Sequence, residues 1–131
     1  GNFESRLALG RPWWKPGWTP GPARFARWIR YLVPQRLADG SLDPLAIPPV
    51  ADLMPIALGQ KLGPAGPRFH APSLDLTVHF LDPTPSEWLL VNTWCRRARA
   101  GYATAEVEIW GEDGRLAAYG TQTMILRKVA R

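Results

Sequence analysis

Three polar side chains, Asp52, Ser73 and Gln122, stand in stretches of sequence that are otherwise apolar or turn-forming. Gln122 shares a predicted strand face with Leu116, Ala118, Met124 and Leu126. A buried amide must find partners for two donors and an acceptor, and leaving them unmet costs about 1–3 kcal/mol, so something polar is expected to face it. Two readings stand side by side: a core glutamine bridging backbone groups, and a glutamine that holds a water or a ligand carbonyl. Asp52 poses the same question, flanked by Val50, Ala51, Leu53 and Met54. Near a helix start the dipole favours its carboxylate while burial disfavours it, and a capping role there is the structural alternative. Ser73, just after Pro72, reads by itself as an ordinary turn residue.

Other reactive groups point to less. Cys95, the single cysteine, excludes an internal disulfide and a cysteine-built metal site. Assisted by His79 or His70 and by neighbouring arginines it would make a nucleophile, but the run Trp88 to Cys95 reads as a packed strand, where free cysteines are commonly inert. Asp75 and His79 alternate onto an outer sheet face. The net charge of +5 suits polyanions, yet Arg6, Arg24, Arg30, Arg68 and Arg96 are scattered, so no nucleic-acid partner is expected. Arg68, Arg96, Arg97 and Arg99 are candidate phosphate contacts, with solvated surface arginine as the alternative. No apolar run approaches the roughly 18 residues of a membrane span, so no membrane partner is expected and a cytoplasmic location follows by default.

The elements that must position these residues follow from pattern. The 131 residues suit one domain, residues 1–131. Phe3 to Leu9 reads as a strand, and Gly10 to Ala23 as a proline- and glycine-rich loop whose Trp13, Trp14 and Trp18 are expected to lie on apolar surface. Arg24 to Val33 is a second strand. Ser41 or Asp43 caps a short helical turn at Pro44, and Pro48 and Pro49 imply a second helix start. From there Val50 to Leu58 is apolar almost all round, ending before Gly59 and Gly63, with Asp52 in the first turn. Then the period becomes two: Leu74, Leu76, Val78 and Phe80 on one face, Ser73, Asp75, Thr77 and His79 on the other. Glu87 to Arg97, Tyr102 to Trp110 and Leu116 to Arg127 complete an antiparallel meander joined by Ala100-Gly101 and Glu112-Asp113-Gly114 turns. An apolar helix before such a meander must be covered by it, giving an α+β fold in which a curved antiparallel sheet wraps a central helix.

The order of these pieces resembles the acyl-CoA thioesterase II family of hotdog-fold enzymes, specifically the second of its two hotdog domains. The landmarks are the Phe3-Glu4-Ser5-Arg6 start, Ala51-Asp52-Leu53, Ser73-Leu74-Asp75 leading into Val78-His79-Phe80, Glu87-Trp88-Leu89-Leu90, the Gly101-Tyr102 turn and Gly114-Arg115-Leu116, spanning about Phe3 to Arg127. The resemblance implies that Asp52, Ser73 and Gln122 together hold the water that attacks a thioester. Water needs orientation and partial deprotonation to attack a carbonyl. Asp52 would take its proton, Ser73 and Gln122 would fix its lone pair, and backbone amides near the helix start would meet the oxyanion. No cofactor, metal or covalent intermediate is implied. The expected partners are an acyl-CoA substrate and a second hotdog domain, or a second copy in a homo-oligomer, because full-length members carry two fused hotdogs. The alternative function is a noncatalytic hotdog acyl-binding or assembly module. The hydrolase reading requires three residues distant in sequence to converge on one point.

Overall fold

The computed structural model describes residues 2–129. Strands β1 (Phe3–Leu9) and β2 (Arg24–Tyr31) form an antiparallel hairpin on either side of the tryptophan-rich loop. A 3-10 turn (Pro44–Ala46) and helices α1 (Ile47–Ala51) and α2 (Pro55–Leu62) follow. Next come β3 (Phe69–His70), β4 (Ser73–Phe80), β5 (Trp88–Arg99), β6 (Tyr102–Gly111), β7 (Leu116–Ile125) and β8 (Arg127–Lys128). Six strands make one antiparallel sheet in the order β1-β2-β5-β6-β7-β4, and β3 pairs with β8 in a small ribbon. This is the expected hotdog arrangement, with one correction to the order. The meander holds for β5, β6 and β7, but β4 does not adjoin β5; it crosses to pair with β7 and becomes a free edge. The predicted last strand is also shorter, since β7 ends at Ile125 and β8 leaves the sheet for the ribbon with β3.

Alternation is cleanest in β6 and β7, where Ala103, Ala105, Val107 and Ile109 face inward opposite Ala118 and Met124. With Ile29, Leu89 and Val91 they close over Val50, Ala51 and Met54 of the helical segment. Ala100 and Gly101 both take positive φ, 53° and 83°, the twist that matches a two-residue hairpin to the right-handed twist of β5 and β6. Tyr31 fastens the helical segment to β2 by donating its hydroxyl to the Ala46 carbonyl at 2.6 Å, and burial raises its phenol pKa.

The helix differs from the sequence expectation in a way that matters for the site. The second start expected at Pro48 and Pro49 is present, since α1 follows the 3-10 turn with both prolines near its N-terminus, but it is not the break that places Asp52. The prolines occupy the first turn of α1, whose amides need no helical partner, so the helix already begins at Ile47. The break falls later, where Pro55 opens α2 and leaves Asp52, Leu53 and Met54 in a turn. Asp52 is therefore the C-cap of α1 and not a first-turn residue, and its side chain is exposed rather than buried. The second helix also runs through Gly59 to Leu62 and ends at Gly63, φ 74°. At the 3-10 turn Asp43 is the cap, accepting from the Leu45 amide at 2.9 Å, whereas Ser41 bonds to Asp39.

Candidate active site

Gln122 lies in the middle of β7 with its side chain turned toward the helical segment and 1% exposed. Its Nε2 donates to Asp52 Oδ1 at 2.8 Å and to Ser73 Oγ. The amide thus gathers a residue from the interhelical turn and one from the start of β4. All three residues singled out in the sequence meet at one place, with Asp52 and Ser73 open to solvent and Gln122 beneath them. The Oε1 of Gln122 is buried with no hydrogen-bond donor in reach among the described residues.

Ser73 reaches this point through an irregularity. Strict alternation puts it with Asp75, Thr77 and His79 on the outer face. In the structure the ladder slips between Ser73 and Asp75: Leu76 pairs with Gln122 and Asp75 with Thr123, but Ser73 pairs with Met124, leaving Leu74 as an extra residue. That β-bulge returns Ser73 to the inner face shared by Gln122 and Met124. Asp75 serves the bulge, its Oδ1 accepting the Thr123 amide proton at 3.0 Å. Leu74, predicted on a core-facing side, is 55% exposed.

The other candidates stand apart. Cys95 lies on β5 with Sγ 3.6 Å from the Arg97 carbonyl, and burial raises its thiol pKa, the reverse of what a nucleophile needs. His79 stacks on Tyr119, ring centroids 6.3 Å apart, on the outer face. Arg96 is engaged with Glu106 at 2.8 Å and lies over Trp94. Arg97 and Arg99 are exposed, and Arg68 lies on the rim of a groove beside α2. Of the loop tryptophans, Trp18 is half-buried, while Trp13 and Trp14 are 41% and 56% exposed, more open than expected.

Several buried polar residues were not anticipated, and one of them anchors the tryptophan-rich loop. Gln60 on α2 is 2% exposed, and its amide clamps residue 11 of the loop: Oε1 accepts the Arg11 N–H, and Nε2 donates to the Arg11 carbonyl at 3.1 Å. Its own carbonyl accepts from the Gly21 N–H at 2.9 Å. A neutral amide next to Leu58 on a helix with a buried face was the available signal, the same kind that drew attention to Gln122.

Residues 1–126 match the family described as acyl-CoA thioesterase C-terminal domain. A search of curated proteins gives no match. Among solved structures, a protein from Novosphingobium aromaticivorans provisionally named a thioesterase is 29% identical over 96% of this chain, with a TM-score of 0.69; this chain spans 43% of that protein's length. A hypothetical thioesterase protein from Streptococcus pneumoniae, solved with coenzyme A, is 12% identical with a TM-score of 0.73, covering 98% of this chain and 89% of its own. A Streptococcus mutans protein bound to acetyl CoA is 14% identical with a TM-score of 0.69, covering 86% and 88%. At such identities the last two speak to the fold alone.

Proposed function

The chain belongs to the acyl-CoA thioesterase C-terminal domain family, and from that premise we propose that it hydrolyses acyl-CoA thioesters with a water held at Asp52, Ser73 and Gln122. The observation that carries the reading is the Gln122 amide, buried in an apolar sheet face yet directed at a carboxylate and a hydroxyl from two other elements.

Both N–H bonds of Gln122 are committed to Asp52 and Ser73, so its part is to set the spacing of those two groups. The Ser73 hydroxyl, accepting from Gln122, keeps its own proton to donate to a water lone pair. The Asp52 carboxylate takes a proton from the same water as its oxygen bonds to the thioester carbon. Negative charge gathers on the carbonyl oxygen. The amides of Leu53 and Met54 in the turn are the candidate donors there, since Pro55, the first residue of α2, has no N–H. Collapse of the tetrahedral adduct breaks the C–S bond, and the proton held by Asp52 passes to the departing thiolate, giving a carboxylic acid and a free thiol.

Asp52 and Ser73 lie exposed on this chain by itself, and apolar Leu74 beside them is 55% exposed. A second hotdog domain laid against this face would exclude bulk water from the reacting carbonyl. The 43% coverage of the Novosphingobium protein supports a partner of that kind, fused or supplied by another copy. Asp52→Asn keeps size and hydrogen bonding but removes the base, and is expected to lower acyl-CoA turnover by about 10²–10⁴-fold with unchanged circular dichroism. Hydrolysis at the wild-type rate by that variant would refute the assignment of the base, and no hydrolysis by the wild-type protein paired with its second hotdog domain would leave the acyl-binding module as the reading.

A further inference from the structure

A groove of about 780 Å³ runs along α2, within the size range of small-molecule sites. Ile56 and Leu62 line it from the helix, Phe69 and Ala71 from the segment that returns past it, and Trp13 and Trp18 from the loop between β1 and β2. Asp52, Ser73 and Gln122 are not on its lining, but two lining residues stand within three positions of Asp52 and Ser73 along the chain. Pro55, at the groove, closes the turn that carries Asp52, and Ala71, also at the groove, precedes Ser73 by one proline. Arg68 is the one charged residue on its lining, so the groove offers apolar contact along its length rather than polar recognition.

The loop wall is held in place. Gln60 grips the Arg11 backbone through both ends of its amide and Gly21 through its own carbonyl. Trp13 also packs edge-on against Phe25 on β2, ring centroids 5.3 Å apart. The floor is open at one point: a Cβ built on Gly59, which lines the groove, meets no atom within 4 Å. A larger side chain at that position meets no obstacle and has room to extend over the groove.

We propose that this groove receives the hydrocarbon of the acyl group, and that Trp18 at its wall and Gly59 at its floor set the length of chain it accepts. This inference rests on the reading of Asp52, Ser73 and Gln122 as the thioester-hydrolysing centre. Each methylene drawn from water into such a groove is worth about fourfold in affinity, so tight binding depends on chain length until the groove is full.

The test compares acetyl-, octanoyl- and palmitoyl-CoA on wild type, Gly59→Leu and Trp18→Ala, measuring equilibrium binding and hydrolysis separately. Gly59→Leu is expected to weaken binding of octanoyl- and palmitoyl-CoA by at least about tenfold more than it weakens binding of acetyl-CoA, roughly the loss of two methylenes. Trp18→Ala is expected to move the binding preference toward palmitoyl-CoA. Wild-type length dependence in Gly59→Leu overturns the proposal. Should that variant misfold by circular dichroism, an unchanged length profile in Trp18→Ala overturns it equally. The two readings fail separately: a length-blind groove in a chain silenced by Asp52→Asn defeats only this inference. Length-dependent binding that the groove variants alter, in a chain whose hydrolysis survives Asp52→Asn, defeats only the assignment of the base.

Discussion

The sheet has two free edges, and they are built on opposite plans. At the β1 edge the outer face is a small charged lattice. Glu4 stands directly across from Arg30 and accepts from it at 2.6 Å, Glu87 lies 3.8 Å from the same guanidinium, and Arg6 and Arg30 both lie over the Trp88 ring at 4.9 Å. Such charge discourages further strand pairing. At the β4 edge the register breaks, the bulged Leu74 is turned out, and Leu74, Phe80 and Leu81 leave apolar surface exposed at 55%, 52% and 50%. Both ladders slip once, β1 against β2 between Leu7 and Leu9 and β4 against β7 between Ser73 and Asp75, so the contrast lies in what the edges do with their side chains. The β1 edge spends its polar groups on its own neighbours, whereas the β4 edge directs Ser73 inward to the candidate active site and leaves large apolar side chains exposed at the same margin of the fold.

Gln122→Met breaks that contrast at its sharpest point. The substitution conserves volume, removes a buried oxygen that has no donor, and returns Asp52 and Ser73, both exposed, to water. A glutamine kept for stability alone makes this change destabilising by about 1–3 kcal/mol. A glutamine kept for function makes thermal stability equal or higher while acyl-CoA turnover falls about 100-fold through misplacement of the two groups it spaces. Calorimetry and steady-state hydrolysis on one preparation separate the two.

A smaller effect is expected one step out, at the bulge. Asp75→Ala removes the acceptor of the Thr123 amide and lets the ladder slip back to regular pairing, with Leu74 inward and Ser73 outward. Turnover is expected to drop about tenfold, a fraction of the loss of the base itself. Deleting Leu74 in that variant takes away the extra residue, so regular pairing again sets Ser73 opposite Met124 and activity returns. Failure of the deletion to rescue would show that the bulge is not what aims Ser73.

Much of this was legible in the chain. The hydrophobic alternation from Tyr102 to Ile125 reads directly as two paired strands, and the odd polar residues on apolar faces, Gln122 above all, pointed to the place where three distant side chains meet. What escaped were the departures from period. A template of strict alternation assigns Ser73 to the wrong face, because an inserted residue is invisible until the partner strand's register is known. Pro48 and Pro49 marked a helix start and stand in the first turn of α1, but Pro55 went unread, and it begins the second helix and thereby places Asp52 in a turn. The pairing of β4 with β7 joins segments with two whole strands between them, and nothing local specifies it. Gln60 was missed because its partners are backbone atoms of a loop with no period at all.

The mildest prediction concerns the charged edge and sharpens the comparison from the other side. Glu4→Gln removes the carboxylate that faces Arg30, yet both side chains are more than a third exposed, at 38% and 37%, and water already screens their attraction. The hydrogen bond to Glu4 is the largest cause of the raised Arg30 pKa, and with both groups this open its energy is that of a surface contact. The expected outcome is a small fall in melting temperature at low ionic strength that disappears at about 1 M salt, where the screening length shrinks to about 3 Å. Acyl-CoA turnover stays within about twofold of wild type at either salt, since no loss of charge at the surface of β1 reaches the Gln122 network. A large, salt-independent loss of activity in Glu4→Gln would mean that the two edges act as one unit, and that the division of labour between them is wrong.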